Sequence, residues 1–417
     1  MIHDRGVTSL HPWGKGMCNR TPANTLPEET VANAVNVDFG LGNRIAARKG
    51  MTKVYSAVGA KDSFSCPAGV FFIEGPDLKV FNTDNSATTL YTGVTGTEFA
   101  FDYLLGTVYF SDGTVSLKIV DGAALPWGLP RPGAPVVYST AGAYDEGTYL
   151  AAVCWVDVDG VESGASAIVS ADLPADTGVI FANLPQPTTG NPTYLRLYLS
   201  MPNGDALYHV ADVAPGTENY TITSGRYDDG HVCESLFVSP APGFRIIRHY
   251  GGRIYGADAD GYVFHTEPFQ YDRFRLSSNF LMFPDPVDIM EPVKSGIFFA
   301  YGDVTDFYAG DVEDGFDIRE AATYGGVYGT GKVMTKTAEG ITKVCWQSQK
   351  GTVIGTADGQ VRNIVEDLIA PGTSESGAAI VREQDGIRQF IVKLNDPTTS
   401  RFAARSFIEA EIVRKGA

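Results

Sequence analysis

GIFFAYGDVTDFYAG, residues 296–310, is the stretch on which the reading of the fold turns. It is an apolar run, a tight turn at Gly302 and Asp303, and a second run that sets Phe307 beyond the turn. Apolar runs bounded by Gly and Asp read as the two strands of a β-hairpin. The same unit recurs along the chain. Gly69 begins GVFFIEGPDLKVFNTD, Gly106 begins GTVYFSDGTVSLKIVDG, Gly252 begins GRIYGADADGYVFHTEP, and Val344 begins VCWQSQKGTVIGTADGQVRNI. Val80, Val263, Phe307 and Val361 hold comparable places in the second strands. A hairpin of this length cannot bury its own faces. Four-stranded units repeated around an axis can, and that arrangement is a β-propeller.

Composition agrees with short strands. The 417 residues include 47 Gly and 23 Pro, with 44% hydrophobic, 11% aromatic and 19% charged residues. Turn formers alternate with Val, Tyr, Phe and Thr, the residues that suit a pleated surface. Helical periodicity is nearly absent. PEETVANAVN, from Pro27 to Asn36, is the one stretch that predicts a short helix, with Glu28 and Glu29 in its first turn, where acidic side chains favour the dipole.

The segment from Pro132 to about Pro240 reads differently. Its strands are longer: GTYLAAVCWVDVDGVESGASAIVSADL from Gly147, GVIFANLPQ from Gly178, and PTYLRLYLSMPNGDALYHVADVAPGTENYTI from Pro192. Tyr149, Ala151, Val153 and Trp155 share one face of the first; Leu150, Ala152, Cys154 and Val156 share the other. Both faces are apolar, which predicts a central strand. The spacing suits an immunoglobulin-like or fibronectin-like sandwich, and the proline-bearing stretches PWGLPRPGAP and VSPAPG bracket it as domain joints do. The expected architecture is all-β: a propeller-like domain in two parts, 1–131 and 240–417, interrupted by a sandwich at 132–239. Two separate β domains flanking the sandwich is the rival arrangement.

The net charge of −17 argues against a general nucleic-acid-binding surface. Against that background, VNVDFGLGNRIAARKGMTKVYS, from Val35 to Ser56, concentrates Arg44, Arg48, Lys49 and Lys53. These four are the candidate subunit-contact residues. Cys18, Cys66, Cys154, Cys233 and Cys345 are dispersed and show no zinc spacing, which predicts free thiols. The N-terminal residues contain no apolar signal core, and no run is long and apolar enough for a membrane helix.

No motif compels a catalytic reading. GVYGTGKV after Gly325 places Gly326, Gly331 and Lys332 at phosphate-loop spacing, but Val333 stands where a magnesium-binding hydroxyl belongs and no helix follows; a glycine-rich connection is the expectation. DVDGVES at Asp157, DADG at Asp258 and DVEDG at Asp311 read as Asp-Gly turns. A calcium site at Asp157, Asp159 and Glu162 is the alternative for the first. His249 and His265 read as packed or rim side chains. ESGAS at Glu162 has no supporting histidine nearby. No catalytic residue, metal ligand or cofactor is expected.

KGMCNRTPANTLPEETVANAVNVDFGLGNRIAARKGMTKVYS, from Lys15 to Ser56, resembles the N-terminus of phage tail proteins of the nozzle and tail-hub kind. Asn36, Arg44, Arg48, Gly50 and Tyr55 fill the corresponding places, with Lys49 standing between Arg48 and Gly50. GTYLAAVCWVDVDGVESGAS, with Glu162 and Ser163 after its turn, resembles the first hairpin of the same proteins' inserted module. YLRLYLSMPNGDALYHVADV resembles its later strand pair, with Arg196 and Tyr198 in place. RIIRHYGGRIYGADADGYVFHTEP resembles the hairpin that returns to the propeller.

The resemblance implies a virion protein of the tail tip, hub or nozzle, made in the bacterial cytoplasm, and not an enzyme. Its implied partners are copies of itself in a ring, the adaptor, tube and fibre proteins of the tail, DNA in transient passage, and a host receptor. A host-glycan or pilus recognition module, with Trp13, Trp127 and Tyr144 as stacking platforms, is the alternative function. A glycoside hydrolase is the third.

Overall fold

The computed structural model describes residues 15–35, 37–39, 45–48, 50, 52–188, 190–225, 231–370, 374–384 and 387–395. Among the described residues the chain is all-β, and its strands form many small, mostly antiparallel sheets. It divides into two compact units, 57–282 and a second made of 1–56 with 283–417.

The chain opens with a short parallel pair, β1 (Gly16–Met17) and β2 (Thr30–Val31), and an antiparallel pair, β3 (Val37–Phe39) and β4 (Ile45–Ala47). The helix expected at Pro27–Asn36 is absent among the described residues. Glu29 is left-handed, with φ +67°. Thr30 donates both its N–H and its hydroxyl to the Pro27 carbonyl, closing a turn. Val31 then accepts from the Cys18 N–H, so backbone groups that a helix would use internally serve the strand pair.

The 57–282 unit begins with two four-stranded meanders. The first runs β5 (Ala60–Cys66), β6 (Gly69–Glu74), β7 (Asp77–Phe81), β8 (Ala87–Thr92). The second runs β9 (Ala100–Leu104), β10 (Thr107–Ser111), β11 (Ser116–Val120), β12 (Ala123–Pro126). Phe71, Ile73 and Leu78 of the first share a core with Phe101, Val108 and Phe110 of the second.

A two-sheet module follows. Its strands are β13 (Val136–Tyr144), β14 (Gly147–Val156), β15 (Val169–Leu173), β16 (Thr177–Ala182), β17 (Tyr194–Ser200), β18 (Leu207–Val213) and β19 (Tyr220–Ile222). One sheet has the order β13-β16-β19 and the other β15-β14-β17-β18. Tyr149, Ala151, Val153 and Trp155 of β14 enter one core with Val179, Phe181, Leu195 and Leu197. Ala152 and Cys154 enter a second core with Tyr198 and Cys233. β14 is therefore interior to its sheet and covered on both faces, as its two apolar faces require. The unit ends with β20 (Ile246–Tyr250), β21 (Arg253–Ala257), β22 (Tyr262–Glu267) and β23 (Gln270–Phe274) in meander order, with β24 (Phe280–Met282) beside β22. Trp127, Phe244 and Phe274 lock this sheet to the β9–β12 sheet through ring contacts of 5.4–5.7 Å.

In the other unit, β25 (Val287–Val293), β26 (Gly296–Tyr301), β27 (Val304–Ala309) and β28 (Asp317–Ala322) form one meander. A second contains β29 (Lys332–Thr337), β30 (Gly340–Ser348), β31 (Gly351–Thr356) and β32 (Val361–Asn363). β33 (Gly377–Gln384) and β34 (Ile387–Leu394) close the described chain as a pair. The stretch 296–310 is the β26–β27 hairpin. Tyr301 pairs with Val304 across a two-residue loop in which Gly302 has φ +46°, a conformation such turns need. β26 is apolar without alternation because both its faces are covered. Phe298 packs on Phe307 and Trp346, and Phe299 on Tyr308 and Phe283. Each such ring contributes about 1.5–3 kcal/mol by leaving water.

Candidate functional site

The basic cluster of the N-terminal segment is only partly within the described residues: Arg44 and Lys49 lie outside them. Lys53 is exposed. Arg48 donates from Nε to Asp38 Oδ1 at 3.4 Å, within its own hairpin. The same carboxylate accepts from Arg382 Nη2 at 3.1 Å on both oxygens, which ties β3 to β33. Nearby, the Asn19 side chain bridges to the Ala370 backbone at 2.7 and 3.1 Å. At least one positive charge of the cluster is thus answered by the chain itself.

A cleft of about 690 Å³ opens in the 57–282 unit. One wall comes from the two-sheet module and includes Glu162, Arg196 and Tyr198; the other comes from the β22–β23 turn and β23 and includes Phe269, Asp272 and Arg273. Glu162 follows the turn after β14, and its backbone bridges back to Val156. Arg196 and Tyr198 are two residues apart on β17, so their side chains leave the same face. They meet on one oxygen. Glu162 Oε1 accepts from Tyr198 Oη at 2.6 Å and from Arg196 Nη1 at 2.8 Å, and Glu162 Oε2 lies 3.8 Å from Arg273 Nη2. The far side of the Arg196 guanidinium holds Asp212 bidentately, at 2.9 and 3.1 Å.

The electrostatics of the two acids diverge. Burial pushes the Glu162 carboxyl up, but hydrogen bonds from Tyr198, Arg196 and Ser235 outweigh it and hold the group below its ordinary range. Asp272 is pushed up by burial, reinforced by the charges of Asp157 and Asp159, although Lys118 pairs with it at 2.5 Å. Asp272 Oδ1 and Arg273 Nε are buried without a hydrogen-bond partner. Chemically the cleft offers fixed donors and acceptors, one firmly ionised carboxylate, and a second carboxylate that holds its proton more tightly than usual.

The three acidic turns are Asx turns. Asp157 Oδ1 accepts from the N–H groups of Asp159 and Val161, Asp258 Oδ1 from Asp260 and Tyr262, and Asp311 Oδ1 from Glu313 and Asp314. The carboxylate of Asp157 therefore faces its own backbone while Glu162 faces Arg196 and Tyr198, which corrects the calcium alternative. No group of three or more His, Cys, Asp or Glu suited to a metal ion occurs among the described residues.

The proposed stacking platforms need correction as well. Trp127 is buried and donates Nε1 to the Tyr271 carbonyl at 2.8 Å. Tyr144 is buried against Tyr149. Trp13 lies outside the described residues. Their sequence neighbourhoods had the look of loops, but the rings of Trp127 and Tyr144 each fill a core. His249 Nδ1 sits 2.8 Å from Asp102 Oδ2, and His265 is buried. Lys332, in the phosphate-loop-like stretch, belongs to β29, and a Cβ at Gly331 would lie 2.4 Å from Glu291 Oε1: the glycine is there for close packing. All five cysteines are free thiols.

Glu162, Arg196 and Tyr198 had each been marked in the sequence by the resemblance; Arg196 and Tyr198 lie 34 and 36 positions beyond Glu162, and the fold brings the three to one point. Phe269, Asp272 and Arg273 carried no sequence signal except the Glu-Pro-Phe-Gln turn.

No family model matches the chain, and no curated protein matches it. Among solved structures it is similar to BBS1N in complex with ARL6DN, with a TM-score of 0.32 at 11% identity, over 81% of this chain and 90% of that one. It is also similar to the Neurospora crassa Pan2 WD40 domain, with a TM-score of 0.33 at 7% identity, over 79% and 85% of the two chains. Apo AztD from Citrobacter koseri gives 0.27 at 12% identity, over 73% and 85%.

Proposed function

We propose that this chain is a structural component of a phage tail, of the nozzle, hub or tail-tip kind, that assembles with copies of itself and neighbouring tail proteins into a ring around the tail axis. The observation that carries this reading is the order of modules: four-stranded meanders before and after a two-sheet module. The segments of resemblance fall in register with that order, on β14, on β17–β18 and on β20–β22. The meanders are read as propeller blades. The module is read as an immunoglobulin-like or fibronectin-like insert. Its β13–β16 and β15-β14-β17-β18 pairings follow the B–E and C′-C-F-G pairings of that fold, with the buried Trp155 on the C-equivalent strand and β19 added beside β16.

The role so read is assembly, in the virion, without catalysis. The engagement of Glu162 with Arg196 and Tyr198, a closed ion-pair network, favours a structural part for that carboxylate. A net charge of −17 suits a protein past which DNA must slide without sticking. Ring contacts need roughly 1,000 Å² of buried surface or more, and Lys53, exposed beside the N-terminal hairpin, is one residue placed to serve them. Mass spectrometry of purified virions of the encoding phage tests the reading. The chain is expected at fixed stoichiometry in the tail fraction, and its absence from virions sinks the proposal.

A further inference from the structure

We infer that the cleft beside Phe269 is a binding site for a neutral oligosaccharide, which stacks on the Phe269 ring and hydrogen-bonds to the polar wall. The inference is independent of the tail reading. Its starting point is a strained aromatic residue whose ring stays exposed. Pro268 and Phe269 form the two-residue loop between Glu267 and Gln270. Phe269 has φ +58°, at the position that a type II turn gives to glycine. A bulky side chain there costs about 1–2 kcal/mol. Burial does not repay that cost, because Phe269 is 76% exposed. The ring is nonetheless pinned. The Phe269 N–H donates to the Gly252 carbonyl at 2.7 Å, and the ring lies so close over Gly252 that a Cβ there would sit 2.8 Å from Phe269 Cζ. Strain that holds an exposed apolar ring on the lining of a cleft is the kind retained for function.

The class of ligand follows from what lines the cleft. Its volume of about 690 Å³ lies in the range of small-ligand sites. Lining the cleft with the ring are polar groups beyond the Glu162 network: the carboxylates of Glu234 and Asp272, the guanidinium of Arg273, and the amide of Gln270, whose Oε1 accepts from Arg273 Nη1 at 2.7 Å. Vicinal hydroxyls present donors and acceptors at matching spacing, and the C–H face of a sugar ring packs on an aromatic face. Asp272 and Arg273 of the same wall each keep one buried polar atom, Oδ1 and Nε, without a hydrogen-bond partner. An anionic ligand is disfavoured: three carboxylates face two guanidiniums, and that of Arg196 is already taken by Glu162 and Asp212.

The test is a screen of the full-length chain against neutral oligosaccharides of the glucan, galactan and chitin types, followed by titration calorimetry on the best binder. At least one is expected to bind with a dissociation constant between about 1 μM and 1 mM. Phe269→Gly removes ring and strain together. It is expected to weaken binding at least about tenfold while the melting temperature stays level or rises. Absence of binding to every neutral glycan at about 10 mM, unchanged affinity in the Phe269→Gly variant, or binding confined to anionic glycans or peptides overturns the inference.

Discussion

Glu162→Gln is the substitution with the most to say about the cleft. The amide preserves shape and removes charge. In the native protein Glu162, with its side chain 11% exposed, accepts from Tyr198 at 2.6 Å and Arg196 at 2.8 Å. A hydrogen bond to a charged group contributes about 1.5–3 kcal/mol and a neutral one about 0.5–1.5, so the Tyr198 bond loses about 1–1.5 kcal/mol, while the Arg196 bond keeps its charged donor and loses its ion-pair part, about 1 kcal/mol. Arg273, 3.8 Å from the other oxygen, also loses its carboxylate. The total, about 3 kcal/mol, sits at the low end for breaking a buried pair, because Arg196 keeps Asp212. For a unit of this size that is a fall of about 6–12 °C in melting temperature. The two compact units make a single transition an unsafe assumption, so calorimetry should resolve the transition that carries the Trp155 fluorescence change. Tyr198→Phe in the same background is expected to add about 1 kcal/mol less than it does alone, since both act on one oxygen. The sign with pH is fixed too. The carboxyl of Glu162 is depressed in the folded state, so its stabilisation is full above the ordinary carboxylate range and lost as pH falls through the lower folded value. The Gln variant should lack that acid-side loss. A shift smaller than about 1 °C, against the scale expected for such a network, would refute the reasoning.

Asp112, buried, accepts from the backbone of Thr95, Gly96, Thr114 and Val115 and from the Thr114 hydroxyl. Burial pushes its carboxyl up, yet hydrogen bonds from Val115, Thr114 and Gly96 outweigh this and bring it to about 2. Its stabilisation should therefore be full above about pH 4 and lost as pH falls toward its folded value, and Asp112→Asn should flatten acid unfolding in that window. Gly296→Ala would place a Cβ 2.3 Å from the Tyr308 carbonyl oxygen and 2.7 Å from Phe307 Cζ. A loss of about 2–4 kcal/mol is expected by urea denaturation. Asp38→Asn loosens both Arg48 and Arg382; hydrogen exchange should rise locally in β3 and β33 while global stability changes by less than about 1 kcal/mol. Equal exchange in the two proteins would count against the tie.

Hairpins were the most legible feature because they are local. Gly302, Asp157 and Asp258 announce their turns through backbone chemistry acting over a few residues, and the register of the flanking strands follows. The mistaken helix at Pro27–Asn36 shows the limit. Its composition favours a helix, but Thr30 and Val31 are claimed by the strand of Gly16 and Met17, a contact that local pattern does not encode. Exposure was harder to read than strand identity. Trp127 lies in a Pro- and Gly-rich stretch that resembles a loop, yet it is the ring on which Phe244 and Phe274 close.

The sequence by itself determined the all-β class, the hairpin repeat, the distinct middle segment and the two-sided burial of β14, since each depends on side-chain period and on turn residues that act at short range. The tertiary structure alone decided which charges meet. Glu162, Arg196 and Arg273 come from strands and turns far apart in the chain, and Asp38 and Arg382 from opposite ends of it. Hydrogen bonds act within about 3 Å and ion pairs between partly exposed groups within about 10 Å. Such partners are therefore fixed by how sheets pack and not by their spacing in sequence, and the same is true of Phe269, whose exposure over the cleft follows from the loop that Gly252 holds in place.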